Sequence, residues 1–438
     1  MNEKRENFTG NLGFILSCVG AALGLGNIWM FSYRLGQYGG AAFLIPYFIF
    51  VFILGTAGLI IEFAFGRRFK SGSLLGIKKI FKEKNLKGGS FIGSLPVVGL
   101  FGVLMFYSVV IGWILKYFFL SITGEISTID TSTFFDSFAG TTSTIPWVIL
   151  SIFITLTIVF LGVTKGIEKL NKIAMPVLLF LFVILTIRSL TLPNAMDGVK
   201  YLLTPRWEHL LNSETWIMAL GQAFFTVSLN GCGMVVYGSY TNKKFNIPSA
   251  AFNTAIFDTI AALLASFMIM PAVFSFGLDP AAGPSLLFIT MPKIFQEMPL
   301  GTIVSVLFFL SIIFAAISSS INMLEGPVEA FISNTKFSRK KATLICSITC
   351  MILAIPLATN IDLFNKFADF ITIVISPLGA LIVAVVFFYV HGSKNVMEEI
   401  NIGAKKPIGN WFIILGKYIF VITTIIVIIL GISMGGIG

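Results

Sequence analysis

The chain has 438 residues, of which 56% are hydrophobic, 14% aromatic and only 11% charged. Soluble domains carry about 25% charged residues, so this composition, with a mean hydropathy of +0.93, excludes a soluble globular protein and defines an integral membrane protein. The net charge of +10 does not indicate a nucleic-acid partner, because the lysines and arginines gather in loops and at the ends of apolar segments along the chain instead of in one basic patch.

Eleven long apolar segments follow one another at about 11–34, 41–66, 91–121, 144–163, 167–190, 213–240, 247–277, 300–333, 339–358, 366–391 and 410–433. They predict an all-α polytopic protein with eleven transmembrane helices in the lipid bilayer of a cell membrane. The polar start MNEKRENFTGN runs straight into the first span, which predicts no cleavable signal peptide. Within residues 13–31, GFILSCVGAALGLGNIWMF, the first segment is interrupted by Gly20, Gly24 and Gly26 and carries Asn27. Glycine lowers helix propensity, so the helix unwinds most readily at Gly24–Gly26. Unwound backbone is tolerated in hydrocarbon only where it lines a cavity or meets a ligand. Such a break is a pointer to a transporter's binding site; a GxxxG packing face between intact helices is the alternative.

Glu62, deep in the second segment, is placed to cap amides freed by a broken helix. Tyr107, deep in the third, calls for a polar partner. The loop 122–143 holds Glu125, Asp130 and Asp136 and no lysine or arginine, whereas Lys4, Arg5, Arg67 to Lys87, Lys165, Lys169, Lys172, Lys243, Lys244 and the later basic loops fall on the other face. By the positive-inside rule the N terminus is cytoplasmic, and eleven spans put the C terminus outside.

The sixth segment, TWIMALGQAFFTVSLNGCGMVVYGSY, again carries polar and small residues in mid-span: Thr226, Ser228, Asn230, Gly231 and Gly233. Interrupted segments at corresponding positions five helices apart are what an inverted repeat predicts. The repeats would cover 1–190 and 191–391, with helix 11 and the C terminus in 392–438. In the seventh segment Asp258 is either neutral and hydrogen-bonded or paired with a cation, and no lysine or arginine lies mid-span nearby. In the eighth, Ala315, Ser318 and Ser319 share one helix face. They offer hard oxygens to a small cation, unless the hydroxyls only bond the carbonyl one turn back. The spans contain no Ser–His, Ser–Lys or paired-Asp arrangement, which argues against an intramembrane enzyme. The paired breaks argue against an ion channel. Cys18, Cys232, Cys346 and Cys350 lie in apolar segments and read as reduced and structural, and His209 and His391 are too far apart in sequence to suggest a metal cluster.

Together GAALGLGNIW at 20–29, GGAAFLIPY at 39–47, TKGIEKLNKIAMP at 164–176, QAFFTVSL at 222–229 and AAISSSINML at 315–324 resemble the neurotransmitter:sodium symporter family, whose bacterial members have the LeuT fold. The resemblance implies a 5+5 inverted repeat with helices 1 and 6 unwound, and sodium-coupled uptake of an amino acid by alternating access. It implies two Na+ sites. One takes the Ala22 carbonyl, Asn27, Thr226 and Asp258 with the substrate carboxylate; the other takes the Gly20, Leu23 and Ala315 carbonyls with Ser318 and Ser319. The substrate carboxylate would meet the Leu25 and Gly26 amides and the Tyr107 hydroxyl, and its ammonium the Ala22, Phe225 and Thr226 carbonyls. Gating would fall to Arg5 and Tyr240 inside, and to Phe225 and Asp369 outside.

This chain departs from the family pattern in several places. Asp258 stands where an asparagine is usual, and a neutral Ala262 follows one turn later, so Asp258 is expected to supply the charge that chloride supplies in animal relatives. Met30 replaces the outer-gate arginine. The acidic partner of Arg5 aligns with Ser333, with Glu329 one turn earlier as a substitute. No twelfth helix is present, and a homodimer stays open. The side-chain end of the pocket would be lined by Val103, Phe225, Ser228, Gly231, Ser319 and Met323, with Asn230 or Ser319 serving a polar tip. Gly231, where a bulky residue is common, would enlarge the cavity for tyrosine or tryptophan over leucine. Transport of aliphatic amino acids, or sensing without transport, are the alternatives.

Overall fold

The structure is a computed structural model that describes residues 6–280 and 286–436, and the regular structure among these residues is helical throughout. The apolar segments form α1 (Asn11–Ala22), α2 (Leu25–Gln37), α3 (Gly40–Phe69), α4 (Gly89–Thr123), α5 (Thr142–Phe160) and α6 (Val163–Leu190). They continue as α7 (Ser213–Thr226), α8 (Gly233–Ser239), α9 (Ile247–Ser275), α10 (Gly301–Asn334), α11 (Arg339–Ala358), α12 (Ile361–Asn401) and α13 (Trp411–Met434). Among the described residues nine helices are each long and apolar enough to cross a membrane, and α1 with α2, bent by 74° at their junction, makes a tenth. The sequence reading counted eleven; the described helices give nine or ten, because α7 and α8 are each too short to cross alone.

Both interruptions follow from backbone chemistry. After α1, Leu23 and Gly24 turn extended, with ψ of 93° at Leu23 and of −171° at Gly24. Between α7 and α8, Ser228 and Gly231 enter left-handed conformations at φ 55° and 72°. Glycine takes that conformation without strain, which explains its place at 231.

α8 lies against α3 almost backbone to backbone. A Cβ added to Gly66 would stand 1.8 Å from the Val235 carbonyl oxygen, and one added to Gly238 would stand 2.5 Å from that of Phe63. Small residues permit this close packing of membrane helices. α6 packs on α1, α9 and α10, so one helix touches both the first broken segment and the serine-bearing helix.

The tenth segment extends beyond the expected boundary of 391. α12 passes through Gly392, at φ 104°, into the polar turns Ser393–Asn401. The apolar pattern stops where these turns begin, which is why sequence periodicity ended the segment early. Arg67 anchors the extension: its Nε meets Glu399 Oε1 at 2.6 Å, and Nη1 donates to the Phe245 and Ile402 carbonyls at 2.9 and 3.0 Å. A buried ion pair is tolerable only with such complete hydrogen bonding.

Candidate functional site

At the first break the C-terminal carbonyls of α1 and the N-terminal amides of α2 come to the same place, and neither set finishes its helix. The Gly24 amide donates to Asn27 Oδ1 at 3.1 Å and the Leu25 amide to the Tyr107 hydroxyl at 3.3 Å. Tyr107 thus has the polar partner that its depth required.

Three buried side chains converge beside this break. Asn27 Nδ2 donates to Thr226 Oγ1 at 2.6 Å and to Asp258 Oδ1 at 2.8 Å, and Thr226 Oγ1 donates to Asp258 Oδ2 at 2.6 Å. Asp258 and Thr226 have no exposed surface at all. Among the described residues no lysine or arginine forms an ion pair with Asp258. The Asp258 carboxylate and the Thr226 hydroxyl offer hard oxygens suited to a hard cation, while the Asn27 amide presents its nitrogen to both.

A second oxygen group closes around α10. Ser319 Oγ lies 3.1 Å from the Gly20 carbonyl oxygen and 3.0 Å from that of Leu23, and Ser318 Oγ lies 2.8 Å from the Ala315 carbonyl oxygen. Ser318 therefore does make the bond one turn back, while Ser319 reaches across to α1. These neutral, hard oxygens fit a monovalent cation. No three His, Cys, Asp or Glu side chains converge among the described residues.

A cavity of about 480 Å³ opens on the break and is lined by Ala22, Leu25, Gly26, Asn27, Val103, Tyr107, Phe225, Ser228, Ser319 and Met323. It continues past Met30 to Asp369 on α12. The Phe225 ring faces it and lies against α2, where a Cβ added to Gly26 would stand 2.4 Å from the ring.

One pocket assignment made from sequence does not hold. Gly231 is absent from the cavity wall; its Cα faces the Gly379 backbone, and an added Cβ would meet that carbonyl oxygen at 2.1 Å. It serves the turn and does not widen the pocket. Asn230 does line the cavity: Oδ1 accepts from the Cys232 and Gly233 amides at 2.9 Å each, and Nδ2 donates one N–H to the Ser228 carbonyl, which leaves its second N–H for a ligand. The capping expected of Glu62 is realised at the second break, where Oε1 accepts from the Asn230 and Gly231 amides at 3.1 and 2.8 Å.

On the opposite side of the break from the cavity's Asp369 end, the Tyr240 hydroxyl donates to Glu325 at 2.5 Å. Arg339 grips the same carboxylate with Nη1 and Nη2 at 3.0 and 2.5 Å. Arg5 lies outside the described residues. Glu329 is buried and accepts from the Ser333 hydroxyl. Sequence reasoning named Tyr240 and missed Glu325 and Arg339; an intramembrane glutamate in the eighth segment was the available signal.

Two interrupted helices whose free backbone groups meet a buried carboxylate at a mid-bundle cavity define a secondary transporter. The profile of the sodium:neurotransmitter symporter family matches residues 5–138 and 136–435. The sodium-dependent transporter YhdH of Bacillus subtilis is 35% identical over 97% of this chain and 97% of its own length. The rat sodium-dependent neutral amino acid transporter B(0)AT3 is 34% identical over 61% of this chain and 48% of its own length. A crystal structure of MhsT in complex with L-phenylalanine superposes with a TM-score of 0.86 at 36% identity, covering 97% of this chain and 99% of that one. The chain belongs to the sodium:neurotransmitter symporter family. It has the LeuT fold and is a sodium-dependent transporter, not an enzyme.

Proposed function

We propose that the chain imports a large aromatic amino acid together with sodium, without chloride. The observation that carries this reading is Asp258, a carboxylate buried beside the α1–α2 break and bonded only to neutral side chains. Its negative charge balances a cation held by Asn27, Thr226 and the Ala22 carbonyl, so no external anion is needed. A second sodium takes the oxygens of Gly20, Leu23, Ala315, Ser318 and Ser319. The substrate carboxylate then sits at the amide end of α2, where the half-helix dipole is positive.

The preference for an aromatic side chain rests on the wall beyond the break, where Val103, Phe225 and Met323 are apolar and the cavity continues outward. The L-phenylalanine bound in MhsT supports the same size class. The chain is oriented with its N terminus cytoplasmic and its C terminus outside, as two five-helix repeats and an eleventh helix. Met30 leaves the outer gate without its salt bridge to Asp369, and the Phe225 ring closes it instead.

Uptake of labelled tyrosine into proteoliposomes under an imposed sodium gradient tests the reading. Competition by tryptophan, tyrosine and phenylalanine above leucine and alanine is expected, with equal rates in chloride and gluconate. Preferred uptake of leucine overturns the substrate class, and a chloride requirement overturns the role of Asp258.

A further inference from the structure

Asn171 on α6 carries an oxygen that nothing yet described uses. The side chain has no exposed surface, and its Nδ2 donates to the Ile167 carbonyl at 2.9 Å. That bond fixes the amide's orientation and points Oδ1 away from its own helix. Oδ1 is fully buried and has no hydrogen-bond partner among the described residues. It lies directly over Gly20, where an added Cβ would stand 2.2 Å from Oδ1 and 3.0 Å from Ser318 Cβ. A glycine at 20 is therefore needed to admit the amide at this point.

One turn earlier on α6 the contrast is informative. Glu168 packs over Gly13 of α1 in the same way, with 2.1 Å from an added Cβ to its Oε1, but its carboxylate is satisfied by the Thr9 amide at 2.9 Å and by Lys172 at 2.7 Å. Asn171 is the polar contact of α6 on α1 that lacks a protein donor. An orphaned buried acceptor is destabilising, so the arrangement calls for a positively polarised guest.

We propose that Asn171 Oδ1 is a further ligand of the second sodium, reaching it directly or through one bound water. The inference rests on the assignment of that ion to Gly20, Leu23, Ala315, Ser318 and Ser319. It makes α6 a third wall of the site beside α1 and α10, so sodium binding ties all three together.

The test is a titration of radioactive sodium onto the purified full chain, without amino acid, for wild type, N171L and S318A. The sodium-induced rise in melting temperature over choline chloride is measured in parallel. N171L keeps the side-chain volume and removes the orphan oxygen. It is expected to weaken sodium binding roughly tenfold, the usual loss for a residue supporting a metal site, and to melt no lower than wild type in choline. Wild-type sodium affinity in N171L with affinity lost in S318A overturns the role of Asn171 and leaves the sodium site standing. Unchanged affinity in both variants overturns the site assignment itself. A lower melting temperature in choline with the sodium-induced rise intact shows a packing role and also overturns the proposal. Should N171L fail to fold, N171A is judged by the same criteria.

Discussion

Asn27 and Asp258 lie 231 positions apart in the chain, yet the asparagine amide donates to the carboxylate at 2.8 Å with both groups buried. This contact joins the inner turn of α2 to the middle of α9, and Thr226 completes the triangle from the end of α7. The two interrupted helices are thus tied to each other directly, Asn27 to Thr226, and through the Asp258 carboxylate.

Replacing that acid by Asp258→Ser should abolish most sodium-driven uptake in chloride-free buffer. Added chloride should then restore part of the rate, since a mobile anion can occupy the space and charge of the missing carboxylate. The comparison of rates in chloride and gluconate measures it, and a variant indifferent to chloride counts against charge balance by Asp258.

Glu62→Ala strips the acceptor from the Asn230 and Gly231 amides in a dry interior. At about 1–3 kcal/mol for each orphaned donor, the loss should be roughly 2–6 kcal/mol. A lowered melting temperature in detergent checks this, and Glu62→Gln, which keeps one carbonyl oxygen, should recover much of it.

Gly26→Ala places a methyl carbon where the Phe225 ring now lies, 2.4 Å from its nearest atom. The ring must move into the cavity that the substrate is proposed to fill. Amino-acid affinity should drop by more than tenfold, read by equilibrium binding. Sodium binding without substrate should change far less, because the oxygens around Ser319 are untouched.

Glu325→Ala leaves the Arg339 guanidinium buried without its carboxylate. Breaking such a pair costs about 3–5 kcal/mol, so the single variant should melt markedly lower. The double variant Glu325→Ala with Arg339→Leu should regain stability. Equal melting of the single and double variants would exclude a coupled pair.

The span positions were legible because apolar runs in a bilayer leave little choice of structure: ten of the eleven segments end within about five residues of the expected boundary at each end, and α12 alone runs on to 401. The breaks were legible because Gly24 and the Ser228–Gly233 stretch violate that pattern. The purpose of individual side chains was less so. Gly231 reads as spare room in sequence, but its φ of 72° and the Gly379 carbonyl beside it are properties of the fold. Asn230 and Asn171 look alike in an apolar run. One spends its oxygen on the first amides of α8 and the other retains a free oxygen, a distinction only three-dimensional neighbours can make. The Arg67–Glu399 pair joins residues 332 apart and leaves no local pattern to find.

The 74° bend at Leu23–Gly24 has a consequence for leakage. On the proposed assignment, cations complete the carbonyl end of α1 and the amino acid's carboxylate completes the amide end of α2. Either guest alone completes one end of a severed helix and leaves the other end to its side-chain caps, Asn27 and Tyr107 on the amides or Ser319 on the carbonyls. Partly loaded states are therefore poor passengers across the membrane, and stoichiometric coupling emerges from the unfinished ends of a single helix.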